Sequence, residues 1–297
     1  MNICLQLINK CQLQCKFCGK QFLSKDEKKV FDNSYMSYEI FKQIIDKYIE
    51  FSNSVIEINL TPVIGEAFLH DDILKILDYL EQSIKIKNYF IVTNFINIDK
   101  DILLHLSKLK KFDLLISVYG FDEKTFIDIT KKKLFNKFIN NMKLLADIKN
   151  LNVELLIRSK TQKTNVFLHI IRYSRQLVNT NLAGLIPLSS NDNEIKMPKK
   201  KGICLNALYN SITPDGNISI CDNADYRYIG KQVIIGNVFE QPLEDIYKED
   251  SIFGKIIKNQ YNRHYTKYCT RCNEYEDISY NELKNISKNI KWIKKLC

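Results

Sequence analysis

The chain is poor in the residues that punctuate loosely organised proteins. Its 297 residues include only nine glycines and five prolines, which excludes collagen-like and linker-dominated architectures. No apolar run approaches the roughly 18 residues of a membrane span. The start, Met1-Asn2-Ile3-Cys4-Leu5-Gln6-Leu7-Ile8, lacks the basic opening, long apolar stretch and small-residue cleavage site of a secretory leader, so the expectation is a cytoplasmic protein. No GxGxxG stands at a strand-to-helix turn and no GxxxxGK[ST] occurs, which removes the usual support for nicotinamide-type dinucleotide binding and P-loop chemistry. Arginine is scarce, with none before Arg158, so the formal charge of +10 rests mainly on dispersed lysines and does not by itself point to nucleic acid. The runs Lys131-Lys132-Lys133 and Lys199-Lys200-Lys201 read as solvated surface. What is plentiful is the 45% of hydrophobic residues, enough for a substantial core.

Nine cysteines, an odd number without an export signal, do not read as a disulfide framework. Clustered thiols in a reducing compartment read instead as metal ligands, because thiolates held together repel until a cation neutralises them. The first cluster is Cys11-Gln-Leu-Gln-Cys15-Lys-Phe-Cys18. Three thiolates from one short loop can bind three irons of a [4Fe-4S] cube and leave the fourth open to another ligand. A zinc site completed by a distant histidine is the alternative, although no histidine is near this loop in sequence.

Cys-x3-Cys-x2-Cys with Phe17 just before the last cysteine resembles the cluster loop of radical S-adenosylmethionine (SAM) enzymes. The resemblance implies that the open iron chelates the amino and carboxylate groups of SAM. It further implies that an electron from the cluster cleaves the sulfonium to a 5'-deoxyadenosyl radical, which abstracts hydrogen from unactivated carbon.

Alternating apolar patterns predict parallel βα units. Strands are expected near 3–8, 55–60, 89–93, 112–118, 151–158 and 182–187, with helices near 37–51, 71–83, 100–110, 122–130, 134–148 and 163–179. That count suits an open, partial (β/α)6 barrel over residues 1–190. Gly65-Glu66 after the second strand resembles the family's "GGE" turn, whose carboxylate receives the SAM ammonium; Ile64 replaces the first glycine. Thr93-Asn94 matches a polar pair near the ribose hydroxyls, and Ser117 resembles a serine near the SAM carboxylate. Arg158, extending an apolar strand, would aim a cation into the barrel mouth. For each of these residues an ordinary turn or surface role is the alternative.

After Gly202, Cys204 precedes a hairpin expected to turn at Thr213-Pro214-Asp215-Gly216 and return to Cys221, bringing those two cysteines together. Gly236-Asn237-Val238 and Cys269-Thr-Arg-Cys272 follow. This pattern resembles the "twitch" form of the SPASM extension and implies, over 191–297, one auxiliary [4Fe-4S] cluster on Cys204, Cys221, Cys269 and Cys272. A Cys4 zinc ribbon is the alternative. Cys4 reads as a small buried hydrophobe and Cys297 as idle, and the four scattered histidines do not read as ligands. The segment 188–201 reads as a linker.

The implied cofactors are SAM and two [4Fe-4S] clusters, reduced by a flavodoxin- or ferredoxin-like protein. The expected activity is that of an oxidoreductase, with dehydrogenation of a polar sugar- or aminocyclitol-like molecule ranked first, since an oxidised auxiliary cluster can accept an electron from a substrate radical. Modification of a ribosomally made peptide ranks second, and a non-catalytic zinc- and RNA-binding protein stands as the reading from another class.

Overall fold

The structure, a computed structural model, describes residues 1–26, 28, 34–158, 199–221, 233–270, 272 and 275–296. The expected helix 163–179, strand 182–187, linker 188–201 (but for its last three residues) and the 190/191 domain boundary lie outside them, as does Cys297.

Five parallel strands carry the first half: β1 (Asn2–Leu5), β2 (Ile56–Asn59), β3 (Ile86–Thr93), β4 (Phe112–Val118) and β5 (Asn152–Ile157). Between them run α1 (Tyr38–Phe51), α2 (Ile73–Gln82), α3 (Lys100–Leu106), α4 (Glu123–Thr130) and α5 (Phe135–Ala146). Each expected element within the described range is present, offset by a few residues. Helix starts follow their caps: Ser37 Oγ accepts from Ile40 N, Asp99 from Ile102 N and Asp122 from Thr125 N, each satisfying a donor the helix itself leaves open. On α1 the stripe Phe41, Ile44, Ile45 and Tyr48 is buried against the sheet layer, the arrangement expected of a 3.6-residue period.

The strand order is β5-β4-β3-β2-β1-β6-β7-β8, an open sheet consistent with a partial barrel. Its far edge comes from the C-terminal region: β6 (Tyr209–Ile212) pairs parallel with β1, and β7 (Asn217–Ser219) and β8 (Ile234–Asn237) continue antiparallel. The sheet therefore runs from the barrel half into the half expected to be separate. The predicted hairpin turn is present, with Gly216 at φ 84°, a left-handed conformation that suits glycine. Asn237 fastens it, donating to Asp215 O at 2.9 Å and accepting from Phe239 N at 2.8 Å, a structural use for the Gly-Asn-Val motif.

Behind this edge lie α6 (Leu243–Ile246), α7 (Ile252–Tyr261), α8 (Lys267–Thr270) and α9 (Tyr280–Ile286). Tyr48 on α1 and Tyr247 after α6 join the halves through a buried hydroxyl pair at 2.8 Å, and Tyr247 also donates to Asn210 Oδ1 at 2.9 Å. Among the described residues no helix is long and apolar enough to cross a membrane.

Candidate active site and thiol clusters

In a parallel sheet the loops after the strands share one rim, and the candidate residues gather there. The cysteine loop follows β1, Gly65-Glu66 follows β2, Thr93 ends β3, Ser117 precedes the last residue of β4, and Arg158 follows β5. In register, Thr93 pairs with Ile116, Ser117 with Leu156 and Val118 with Ile157, so these ends stand level.

The cysteine loop is held from the side by α4: Gln14 N donates to Thr130 O at 3.0 Å and Lys16 N to Ile129 O at 2.9 Å. Cys15 is buried, and Cys11 and Cys18 are half-buried. Burial pushes the Cys11 thiol up to about 12, with Glu66 and Cys18 adding negative charge nearby. Burial likewise raises Cys15, and Cys11 and Cys18 raise it further, so the three sulfurs share one electrostatic environment. Such thiols stay protonated until a cation arrives. Among the described residues no three His, Cys, Asp or Glu side chains converge tightly enough for one metal ion. An iron–sulfur cube is wider than an ion and takes each thiolate at a separate corner, so this loose, mutually sensing triad fits it.

Glu66 is 2% exposed, not the surface turn residue that a Gly-Glu pair often is. Its Oε1 accepts from Thr93 Oγ1 at 2.7 Å and Phe68 N at 3.3 Å, and its Oε2 from Asn94 N at 2.8 Å. Burial nevertheless lifts its pKa to about 7, the three donors offsetting only part of the desolvation. A buried carboxyl poised at neutrality is suited to a cationic partner. Gly65 is needed for close approach: a Cβ there would collide with the Ile8 carbonyl, which leads into the cysteine loop. Ile64, in place of a first glycine, is buried at 1%.

The pair Thr93-Asn94 thus faces Glu66 as much as any ribose. Asn94 also donates Nδ2 to Cys11 Sγ at 3.6 Å and accepts from Gln12 Nε2 at 3.0 Å. The turn behind it is strained: buried Phe95 has φ 61°, stabilised by Asn141 Nδ2, which donates to Phe95 O at 2.8 Å. Gln12 and Asn141 were invisible to motif reading, since neither lies in a recognised pattern. Gln12 Oε1 is buried without a partner beside this network, an acceptor left over for a bound molecule.

Phe17 stacks on Tyr119 with centroids 6.1 Å apart, and the buried Tyr119 lies against both Ser117 and Cys15. Ser117 is 4% exposed and Arg158 half-buried, its backbone N bonded to Val118 O. The acceptor, the spare amide oxygen and the thiol triad fit a cluster-bound amino acid nucleotide.

The four C-terminal cysteines lie on distant segments that the fold ties together. Gln260 on α7, 1% exposed, accepts from Cys204 N at 3.0 Å and donates to Cys269 Sγ at 3.8 Å. Cys272 adds charge near Cys204, and its N bonds to Cys269 O. Asn210 Nδ2 donates to Ile220 O at 3.0 Å and Ala207 O at 3.4 Å, tying the chain after Cys204 to the chain before Cys221. Cys4 is more than an apolar filler: Gln6 Nε2 donates to its sulfur at 3.5 Å and to Ser211 Oγ at 2.8 Å. A cavity of about 330 Å³ lies at the opposite pole, by Asn2, Val55, Lys87 and Tyr209, away from the candidate site.

Comparison with known proteins agrees with this geometry. The radical SAM superfamily model matches residues 5–163, and an iron–sulfur cluster-binding domain model, SPASM, matches residues 204–273. No curated protein matches the chain. Among solved structures, SuiB of Streptococcus suis bound to precursor peptide SuiA superposes with TM-score 0.61 at 17% identity, over 86% of this chain and 66% of SuiB. The chain thus spans just under two thirds of that protein. BtrN in complex with AdoMet and 2-DOIA gives 0.60 at 15% identity over 94% and 93%. Native anSMEcpe with bound AdoMet and Kp18Cys peptide gives 0.61 at 13% identity over 99% and 97%. With the cysteine loop on the rim of an open parallel sheet and both domain models in place, the chain belongs to the radical SAM superfamily, carries a C-terminal SPASM iron–sulfur domain, and uses SAM and iron–sulfur clusters as cofactors.

Proposed function

We propose that this radical SAM enzyme oxidises a polar small molecule of the sugar or aminocyclitol kind, with one barrel cluster and one auxiliary cluster. Residues 1–190 form the barrel and 191–297 the auxiliary domain. Cys11, Cys15 and Cys18 hold a [4Fe-4S] cluster with one open iron, and Cys204, Cys221, Cys269 and Cys272 hold a second without an open position. Bound there, SAM and the reduced cluster supply a 5'-deoxyadenosyl radical able to take hydrogen from unactivated carbon.

The observation that carries this reading is the buried Glu66 carboxyl, hydrogen-bonded through Asn94 to the Cys11 sulfur network. Glu66 must be ionised to receive an ammonium group, and a bound ammonium supplies the charge that burial withholds. Gln12 Oε1 accepts a further donor, while Gly65, Thr93 and Asn94 hold the carboxylate in place. Ser117 and Arg158 suit the carboxylate end of the ligand, and the Phe17–Tyr119 pair walls the loop from water. A reducing flavodoxin- or ferredoxin-like protein would deliver the electron.

Two features favour a polar small molecule. The cysteine inventory in the C-terminal half suffices for one auxiliary cluster. A cavity of about 200 Å³, lined by Phe90, Asp113, Leu115, Asn152 and Glu154, lies on the strand face that Ser117 shares by alternation, below the rim toward the starts of β4 and β5, and its carboxylates and amide suit hydroxyl or amine groups. A peptide substrate is the second reading, favoured by the equal superposition of SuiB and anSMEcpe with their peptides.

Anaerobic reconstitution should give about eight irons per chain, and dithionite with SAM should release 5'-deoxyadenosine. Sugars, aminocyclitols and peptides are then compared for accelerated release. Acceleration by peptides alone overturns the small-molecule reading. Bound zinc without iron, together with RNA binding, overturns the enzyme.

A further inference from the structure

The Asn94 side chain is placed to do something that SAM contact does not explain. It is 4% exposed, its Nδ2 points at the Cys11 sulfur at 3.6 Å, and its Oδ1 is fixed by Gln12 Nε2 and Ile96 N, each at 3.0 Å. Two donors on the oxygen leave the amide only one orientation, with its N–H groups turned to the sulfur. The backbone N–H of the same residue holds Glu66 Oε2 at 2.8 Å, and the left-handed Phe95 that follows, clamped by Asn141, fixes the whole turn. An amide this constrained cannot swing away when the sulfur gains or loses negative charge.

We infer that Asn94 is a positioning residue for the barrel cluster: its side-chain N–H···S bond to Cys11 stabilises the extra electron of the reduced cluster and so raises its reduction potential. This rests on Cys11 being a cluster ligand. The physics is that of outer-shell tuning: reduction adds negative charge that spreads onto the thiolates, and a fixed donor is bound more strongly by the more negative state. No bond to iron changes; the donor shifts only the one-electron equilibrium. The backbone N–H that holds Glu66 survives any side-chain substitution, so the SAM acceptor and the sulfur donor can be separated by experiment.

The test is potentiometric EPR on the anaerobically reconstituted full-length protein, following the cluster signal that responds to SAM. Asn94→Ser, which shortens the side chain away from the sulfur, should make reduction about tenfold less favourable, about 59 mV for one electron. Asn94→Asp, of the same shape but without the donor, should shift the potential further in the same direction, since it also adds charge. Potentials of both variants within twofold of the wild-type equilibrium, with full iron content, overturn the inference and leave the cluster assignment standing. Should the variants fail to assemble a cluster, pulsed EPR of the reduced wild-type protein carrying asparagine labelled with 15N at the side chain decides. A hyperfine coupling to that nitrogen is expected, and its absence overturns the inference. Wild-type protein that binds no iron at the N-terminal loop overturns the ligand assignment itself.

Discussion

The two thiol groups of this protein are built in opposite ways. Cys11, Cys15 and Cys18 lie within eight residues, in a loop that β1 delivers to the rim of the sheet and α4 pins from the side. Cys204, Cys221, Cys269 and Cys272 are scattered over the C-terminal region, and Cys204 and Cys269 share Gln260, a buried amide on α7. The sulfurs of the local loop find their partners in its own backbone and in Tyr119 and Asn94 beside it, with the buried Gln12 amide oxygen left as a spare acceptor. The dispersed group is fitted into backbone and side-chain bonds from several elements. The proposed roles, an open site for a small ligand and a closed auxiliary site, would call for this contrast.

Substitution of the cysteines should break the comparison most visibly. Cys11→Ala, Cys15→Ala or Cys18→Ala should reduce SAM cleavage to background, measured as 5'-deoxyadenosine. Cys269→Ala or Cys272→Ala should leave SAM cleavage running without product. Equal loss in both sets would mean that the two groups are not functionally distinct.

Glu66→Gln removes the charge while keeping the shape. A hydrogen bond to a charged group contributes about 1.5–3 kcal/mol, so SAM should bind on the order of 10- to 100-fold more weakly in equilibrium titration. The pH dependence has a definite sign. Burial raises the Glu66 pKa to about 7, so the ligand-free folded state holds the proton more tightly than the unfolded chain. Ligand-free stability therefore falls as pH climbs from the ordinary carboxylate range to about 7. SAM affinity moves the other way, weakening below about pH 7 as Glu66 is neutralised, and the Gln variant should lose that dependence.

Gly65→Ala drives a methyl into the Ile8 carbonyl and against the Pro62 ring, and the carbonyl, being backbone, cannot yield cheaply. A loss of about 1–3 kcal/mol is expected in chemical denaturation, accompanied by weaker iron retention at the N-terminal loop. The smallest effect on the N-terminal site is expected for Gln260→Ala, which releases the Cys204 N–H and the Cys269 sulfur at a cost of about 1–3 kcal/mol. Auxiliary iron should fall while the SAM-responsive EPR signal stays, which sharpens the separation of the two sites.

Much of this was legible in the chain. The cysteine triad, the alternating units, the helix start at Ser37, and the turn at Gly216 are local patterns, and local patterns carry their own physics of spacing, capping and backbone preference. Glu66 could be named from its neighbour, but its burial could not, because that depends on Thr93 and Asn94 arriving from the next strand. Gln12, Asn141 and Gln260 had no signal at all: an isolated amide residue has no period and no motif, and acquires a task only when distant backbone and sulfur are brought to it.

The sequence alone therefore determined which groups could do chemistry and along which strands they would be delivered, because ligand type and short-range spacing are covalent properties. Only the tertiary structure decided that β6 extends the barrel sheet beside β1, that Gln260 gathers Cys204 and Cys269, and that Asn94 stands between a carboxylate and a sulfur. Those relations depend on burial and on long-range register, and each is fixed by contacts between segments that have no influence on one another until the chain is folded.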